Sequence, residues 1–98
     1  MKVLFVGGSG IISSACARLA VDRGIELSVF NRGLSTHRPL PPEVSLLRGD
    51  IRDLASVAAA LGEQEFDAVV DWVAYTPEHI RASLTAFRGR CGQYVFIS

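Results

Sequence analysis

One stretch constrains this chain more than any other: Val3-Leu4-Phe5-Val6-Gly7-Gly8-Ser9-Gly10-Ile11-Ile12-Ser13. Val3 to Val6 is apolar without interruption, so it does not alternate between a wet face and a dry one. Such a run predicts a strand buried on both faces, as an inner strand of a parallel sheet is. The glycines then turn the chain. Ile12, Cys16, Leu19, Ala20 and Arg23 follow at i, i+4, i+7, i+8 and i+11, which predicts a helix with one mainly apolar stripe and Gly24 as its stop. A strand that feeds a helix through glycines has two consequences. The bare backbone lets a ligand come close, and the first helical turn offers unpaired N–H groups and the positive end of its dipole. The matching ligand is a pyrophosphate, with Gly7, Gly10, Ile11 and Ile12 expected to hold it. Glycine spacing alone is a weak signal, because a tight turn that needs only positive φ would use the same residues.

The rest of the chain repeats the alternation. Ile25 to Phe30 reads as a second strand, ended by Asn31-Arg32-Gly33. Leu34 to Glu43 contains Pro39, Pro41 and Pro42 and must be loop, because prolines cannot supply the backbone donors of regular structure. Val44 to Arg48 is a third strand. Asp53 is placed to cap a short helix whose inner face would be Leu54, Val57, Ala58 and Leu61, with Gly62 as its stop. Asp67 to Ala74 reads as a fourth strand. Thr76 and Pro77 open another helix as N-cap and first-turn proline, with Ile80, Leu84 and Phe87 as its buried stripe. Tyr94 to Ile97 is the fifth strand. This order is that of an α/β doubly wound parallel sheet of the Rossmann type. Right-handed crossovers give the strand order 3-2-1-4-5, with the sheet expected to be truncated after the fifth strand.

Composition narrows the setting. With 98 residues the chain is read as one domain spanning 1–98, and 49% hydrophobic against 20% charged residues is a globular balance rather than a disordered one. Ten basic and ten acidic side chains cancel, so charge gives no reason to expect a nucleic-acid or membrane partner. Cys16 and Cys91 fit no metal spacing and cannot make a disulfide framework, which points to a reducing, cytoplasmic setting without a metal. Lys2, the run from Val3 and Ala15-Cys16-Ala17 imitate a secretory signal, but the run ends at Gly7, short of the roughly 7–15 apolar residues such a signal needs.

The glycine turn resembles that of the NAD(P)-dependent epimerase/dehydratase family, the extended and atypical short-chain dehydrogenase/reductases, which carry Gly-x-x-Gly-x-x-Gly straight after the first strand. Gly7 and Gly10 match the first two glycines, and Ser13 stands at the third, which marks a divergent branch. A dinucleotide-binding domain of this type ordinarily places an acid about 20 residues on, where it accepts from the ribose hydroxyls. This chain has Asn31 followed by Arg32. Asn31 can bond a sugar hydroxyl without repelling an added phosphate, and the Arg32 guanidinium can pair with a 2′-phosphate, so NADP is favoured over NAD. His37 and Arg38 could assist from the loop. The resemblance further implies that Asp50 meets the adenine amino group and Ile51 covers the ring. It also places Trp72, Val73 and Ala74 beside the ribose and nicotinamide. Trp72 is larger than is usual there and would serve equally well as core. Asp71, inside an apolar strand, needs a hydrogen-bond partner if buried.

The family's catalytic Ser/Thr and Tyr-x-x-x-Lys pair are not in the chain, since Tyr75 is followed by His79 and Tyr94 by Ser98. No catalytic residue is therefore assigned. The expectation is the cofactor-binding part of an epimerase-, dehydratase- or reductase-type oxidoreductase. It would work by hydride transfer on a nucleotide-sugar-like small molecule, with the proton-transfer pair and substrate pocket in a C-terminal portion of the full-length protein. A non-catalytic NADP-sensing regulator of the same fold is the alternative, and an RNA-binding member of the atypical branch is a third reading that the neutral charge disfavours. An open sheet edge leaves a homo-oligomer open.

Overall fold

The strand β1 (Lys2–Val6) organises everything else. In the structure, a computed structural model that describes residues 1–7, 11–31, 42–72 and 76–97 (backbone only for 11–14), β1 is hydrogen-bonded on both sides. It is followed by α1 (Ile11–Asp22), β2 (Glu26–Asn31), β3 (Ser45–Arg48), α2 (Leu54–Leu61), β4 (Phe66–Asp71), α3 (Pro77–Phe87) and β5 (Cys91–Phe96). The five strands make one sheet in the order β3-β2-β1-β4-β5, every pairing parallel. The predicted doubly wound order is the observed one.

The uninterrupted apolar run of β1 has the cause the sequence suggests. Val3 and Phe5 point to one face, where Ala17 and Ala20 of α1 pack with Leu27 and Val29 of β2. Leu4 and Val6 point to the other, into a core with Phe30, Val57, Leu61, Val69 and Phe87. Helix α1 therefore covers one face, and α2 and α3 the other. In register, Val6 lies between Phe30 of β2 and Asp71 of β4, so the strand ends that follow these residues open side by side at one edge of the sheet.

Several helix faces differ from the periodicity reading. Leu19 is 52% exposed, while among the described side chains of α1 Ala17 and Ala20 are buried against the sheet. Small side chains let a helix lie close to a sheet, and the larger leucine is left outside. Val57 and Leu61 are the buried residues of α2, while Leu54 and Ala58 are exposed. Ser83 and Phe87 are those of α3, with Leu84 left on the surface. A stripe drawn from hydrophobicity cannot anticipate Ser83, which is inside because its hydroxyl has a buried partner described below. β4 ends at Asp71, with Trp72 outside it, and β5 begins at Cys91, earlier than predicted. Gly92 and Gln93 have little strand propensity, but pairing of Cys91 with Phe66 and Gln93 with Ala68 overrides it. The stops and caps fall where expected. Arg23 and Gly24 close α1, with the Ile25 amide reaching the Ala20 carbonyl at 3.0 Å and the Gly24 amide that of Val21 at 3.0 Å.

Candidate functional site

The ends of β1, β2 and β3 are tied together by backbone bonds that run on past the strands. The Gly7 amide donates to the Phe30 carbonyl at 2.8 Å, and the Gly49 amide to that of Asn31 at 3.0 Å. Gly7 has φ +76°, a left-handed conformation that costs a residue with a Cβ about 1–2 kcal/mol. Gly49 is needed for a different reason. A Cβ there would lie 2.7 Å from Phe30 Cζ and 2.8 Å from Ser56 Oγ. These two glycines open onto a pocket of about 230 Å³. Val6, Phe30 and Ile51 are its apolar residues, and Asn31 and Arg52 its polar ones. That is below the roughly 300–1,000 Å³ that holds a drug-sized ligand, and suits one end of a dinucleotide rather than the whole. Apolar walls with polar residues beside them match a flat heterocycle joined to a sugar.

The turn beyond β3 is held firmly. Asp50 Oδ1 accepts from the Arg52 amide at 2.9 Å, and the Asp50 amide donates to Ser56 Oγ at 2.8 Å. Asp53 caps α2, its carboxylate accepting from the Ala55 and Ser56 amides at 3.1 and 3.4 Å. From this turn the Arg52 side chain crosses to α3, with Nη2 3.0 Å from His79 Nδ1. The His79 amide donates to Thr76 Oγ1 at 3.1 Å as part of the α3 N-cap.

Beside the pocket, on the same face of the sheet, Asp71 is fully buried at the end of β4. Its Oδ2 accepts from Ser83 Oγ at 2.8 Å and from the Tyr94 hydroxyl at 2.6 Å, which supplies the partners that burial of this carboxylate demands. Burial raises the Tyr94 pKa, and the bond to the Asp71 carboxylate raises it further. Burial also raises that of the Cys91 thiol.

Of the residues singled out by sequence, Gly7, Asn31 and Ile51 come together in the pocket, and Asp50 sits in the adjoining turn. Ile11 and Ile12 begin α1. The Trp72 amide donates to the Val6 carbonyl at 3.0 Å. Its ring, however, lies on the α1 face, edge-on to Phe5 with centroids 5.5 Å apart, and is not part of the pocket wall. Gly10, Arg32, Val73 and Ala74, and with them His37 and Arg38, lie outside the described residues. Arg52 was not among the expected site residues. Its place after Gly49-Asp50-Ile51 is the one signal that could have flagged it; its reach to another helix is not written in the sequence. Among the described residues no group of three or more His, Cys, Asp or Glu side chains is placed to hold a metal, and no helix is long and apolar enough to cross a membrane.

A parallel sheet of this order, with helices on both faces and a glycine turn at the end of its central strand, defines a Rossmann-type α/β domain. The sequence model of the NAD dependent epimerase/dehydratase family matches residues 3–87, and the chain belongs to that family. It is 34% identical over 87 residues to a UDP-glucose 4-epimerase of Lactobacillus helveticus, an alignment covering 86% of this chain and 26% of the relative. It is 28% identical to the chloroplast stem-loop binding protein of 41 kDa b of Arabidopsis thaliana, over 99% of this chain and 29% of that protein. The fold superposes on a crystal structure of UDP-glucose 4-epimerase with a TM-score of 0.81 at 18% identity, covering 98% of this chain and 35% of the other. The chain thus spans about a quarter of the length of these curated relatives.

Proposed function

We propose that residues 1–98 bind the dinucleotide of an NAD(P)-dependent epimerase, dehydratase or reductase whose small-molecule substrate resembles a nucleotide sugar. The observation that carries this reading is the pocket at the ends of β1, β2 and β3, where two glycines, Asn31 and Ile51 meet in a chain of the epimerase/dehydratase family. The names of the epimerase relatives support the substrate class. The cofactor, when bound, gives and takes a hydride.

In this reading Val6, Phe30 and Ile51 exclude water from the adenosine end, and Asn31 bonds the ribose. The amides that follow Gly7, about Gly10 and the start of α1 with Ile11 and Ile12, meet the pyrophosphate. Asp50 serves the adenine edge, and Trp72, Val73 and Ala74 the far ribose and nicotinamide. Proton transfer and substrate binding belong to a further portion of the whole protein.

NADP is favoured over NAD, because the second strand ends in a neutral Asn31 followed by Arg32 and so sets no carboxylate against a 2′-phosphate. Titration with NADPH and NADH tests both levels of the reading. Tighter binding of NADPH is expected, by at least tenfold for a charge-assisted bond worth roughly 1.5–3 kcal/mol. Preference for NADH would overturn the NADP assignment, and failure to bind either would overturn the cofactor reading. The stem-loop binding relative raises a nucleic-acid reading, but an equal count of acidic and basic residues gives a phosphodiester chain little to grip. The relatives named above add nothing to the regulator alternative.

A further inference from the structure

We propose that His79 is a positioning residue of the cofactor pocket, holding the Arg52 guanidinium as the outer wall against which the adenine base is seated. The inference rests on the cofactor reading and adds to it the side chains that define its adenine end.

Arg52 is exposed yet lines the pocket beside Ile51. A guanidinium at the surface samples many rotamers, and ordering so long a side chain costs up to about 2 kcal/mol. The 3.0 Å contact between Nη2 and His79 Nδ1 removes much of that freedom before any ligand arrives. Both ends of the contact spring from fixed backbone. The Arg52 amide is bound by the Asp50 carboxylate, and the His79 amide by Thr76 Oγ1 in the first turn of α3. The pair therefore joins two braced segments, one following β3 and the other following β4.

The chemistry of the contact also fixes its polarity. Arginine has donors only, so Nδ1 is the acceptor and the imidazole proton resides on Nε2. A planar, delocalised cation beside apolar walls is suited to the face of a purine, on which guanidinium groups stack. A histidine with no acceptor to offer, or no histidine, takes this contact away from the wall, and the ordering it supplied must then come from binding.

The test uses ADP-ribose, which carries the adenine end of the cofactor without nicotinamide. Its affinity is measured calorimetrically for the wild-type protein, His79→Leu, His79→Gln, Arg52→Leu and the double variant Arg52→Leu/His79→Leu, with the urea midpoint of each. His79→Leu and Arg52→Leu are each expected to weaken ADP-ribose about fivefold, the upper range for an exposed charge-assisted contact. The double variant should be no weaker than Arg52→Leu alone. His79→Gln, whose amide oxygen can accept from Arg52, should recover most of the loss. Wild-type affinity in His79→Leu overturns the proposal, as does a loss that is additive in the double variant or that merely follows the urea midpoint. If His79→Leu does not fold, unchanged affinity in Arg52→Leu overturns it just as surely. If the wild-type protein itself ignores ADP-ribose, NADPH and NADH, the cofactor reading has failed, which is a different result from a wild-type protein that binds and a His79→Leu protein that binds equally well.

Discussion

At the scale of single residues, two positions show how little room the site leaves. A methyl group at Gly49 would press on Phe30, which is 1% exposed, and on the Ser56 hydroxyl that holds the Asp50 amide. Gly49→Ala is expected to cost about 1–3 kcal/mol by overpacking, read as a lowered urea midpoint, and to weaken dinucleotide binding in the same preparation. Tyr94 makes the second case. Its pKa is raised by burial first and by the Asp71 bond second, so the folded protein keeps the phenol proton to higher pH than the unfolded chain does. Stability from this group is whole below the unfolded value of about 10 and falls as pH climbs past it. Urea midpoints measured from pH 8 to 11 should decline at the alkaline end. Tyr94→Phe should flatten that decline while costing about 1 kcal/mol near neutrality for the lost bond to Asp71. An unchanged alkaline slope in Tyr94→Phe would assign the decline to other groups.

At the scale of elements, the helices are set by their ends and by which small residues face the sheet. Asp53 accepts from the Ala55 and Ser56 amides and Thr76 from that of His79, and so each starts its helix. Asp53→Ala or Thr76→Ala should each lose about 1 kcal/mol in chemical denaturation. Thr76→Ala should additionally loosen His79, because its hydroxyl holds that residue's amide. Helix α1 packs through Ala17 and Ala20. Ala17→Leu is therefore expected to destabilise by about 1–3 kcal/mol, whereas Leu19→Gln, on the outer face, should stay within about 0.5 kcal/mol. Equal effects of the two substitutions would contradict the packing described for α1.

At the scale of the whole molecule, the reversal of strand order around β1 decides where a ligand can sit. The chain runs from β1 outward through β2 to β3, then crosses back to place β4 on the other side, and the pocket opens at the ends of β1, β2 and β3. A ligand in that pocket touches segments that only the folded sheet brings together, so its binding should be linked to global stability. With NADPH at 100 times its Kd, unfolding free energy should rise by about 2.7 kcal/mol, which urea titrations with and without ligand would register. No shift at that excess would mean that the folded protein does not hold the dinucleotide.

Much of this was legible without coordinates. The unbroken run of β1, the glycine turn, the caps Asp53 and Thr76 and the alternation of strand and helix sufficed for the fold class and the strand order, because these signals are local and the crossover rule has one hand. Gly7, Asn31 and Ile51 could be marked for the same reason, since each lies at a strand end that sequence can count to. What tertiary structure alone decided is the set of contacts between segments distant in the chain. Ser83 is buried because Asp71 and Tyr94 are opposite it, the Trp72 ring faces α1 rather than the pocket, and Arg52 reaches His79 from another helix. Periodicity reports which residues avoid water, but not which polar atoms will find each other once water is gone.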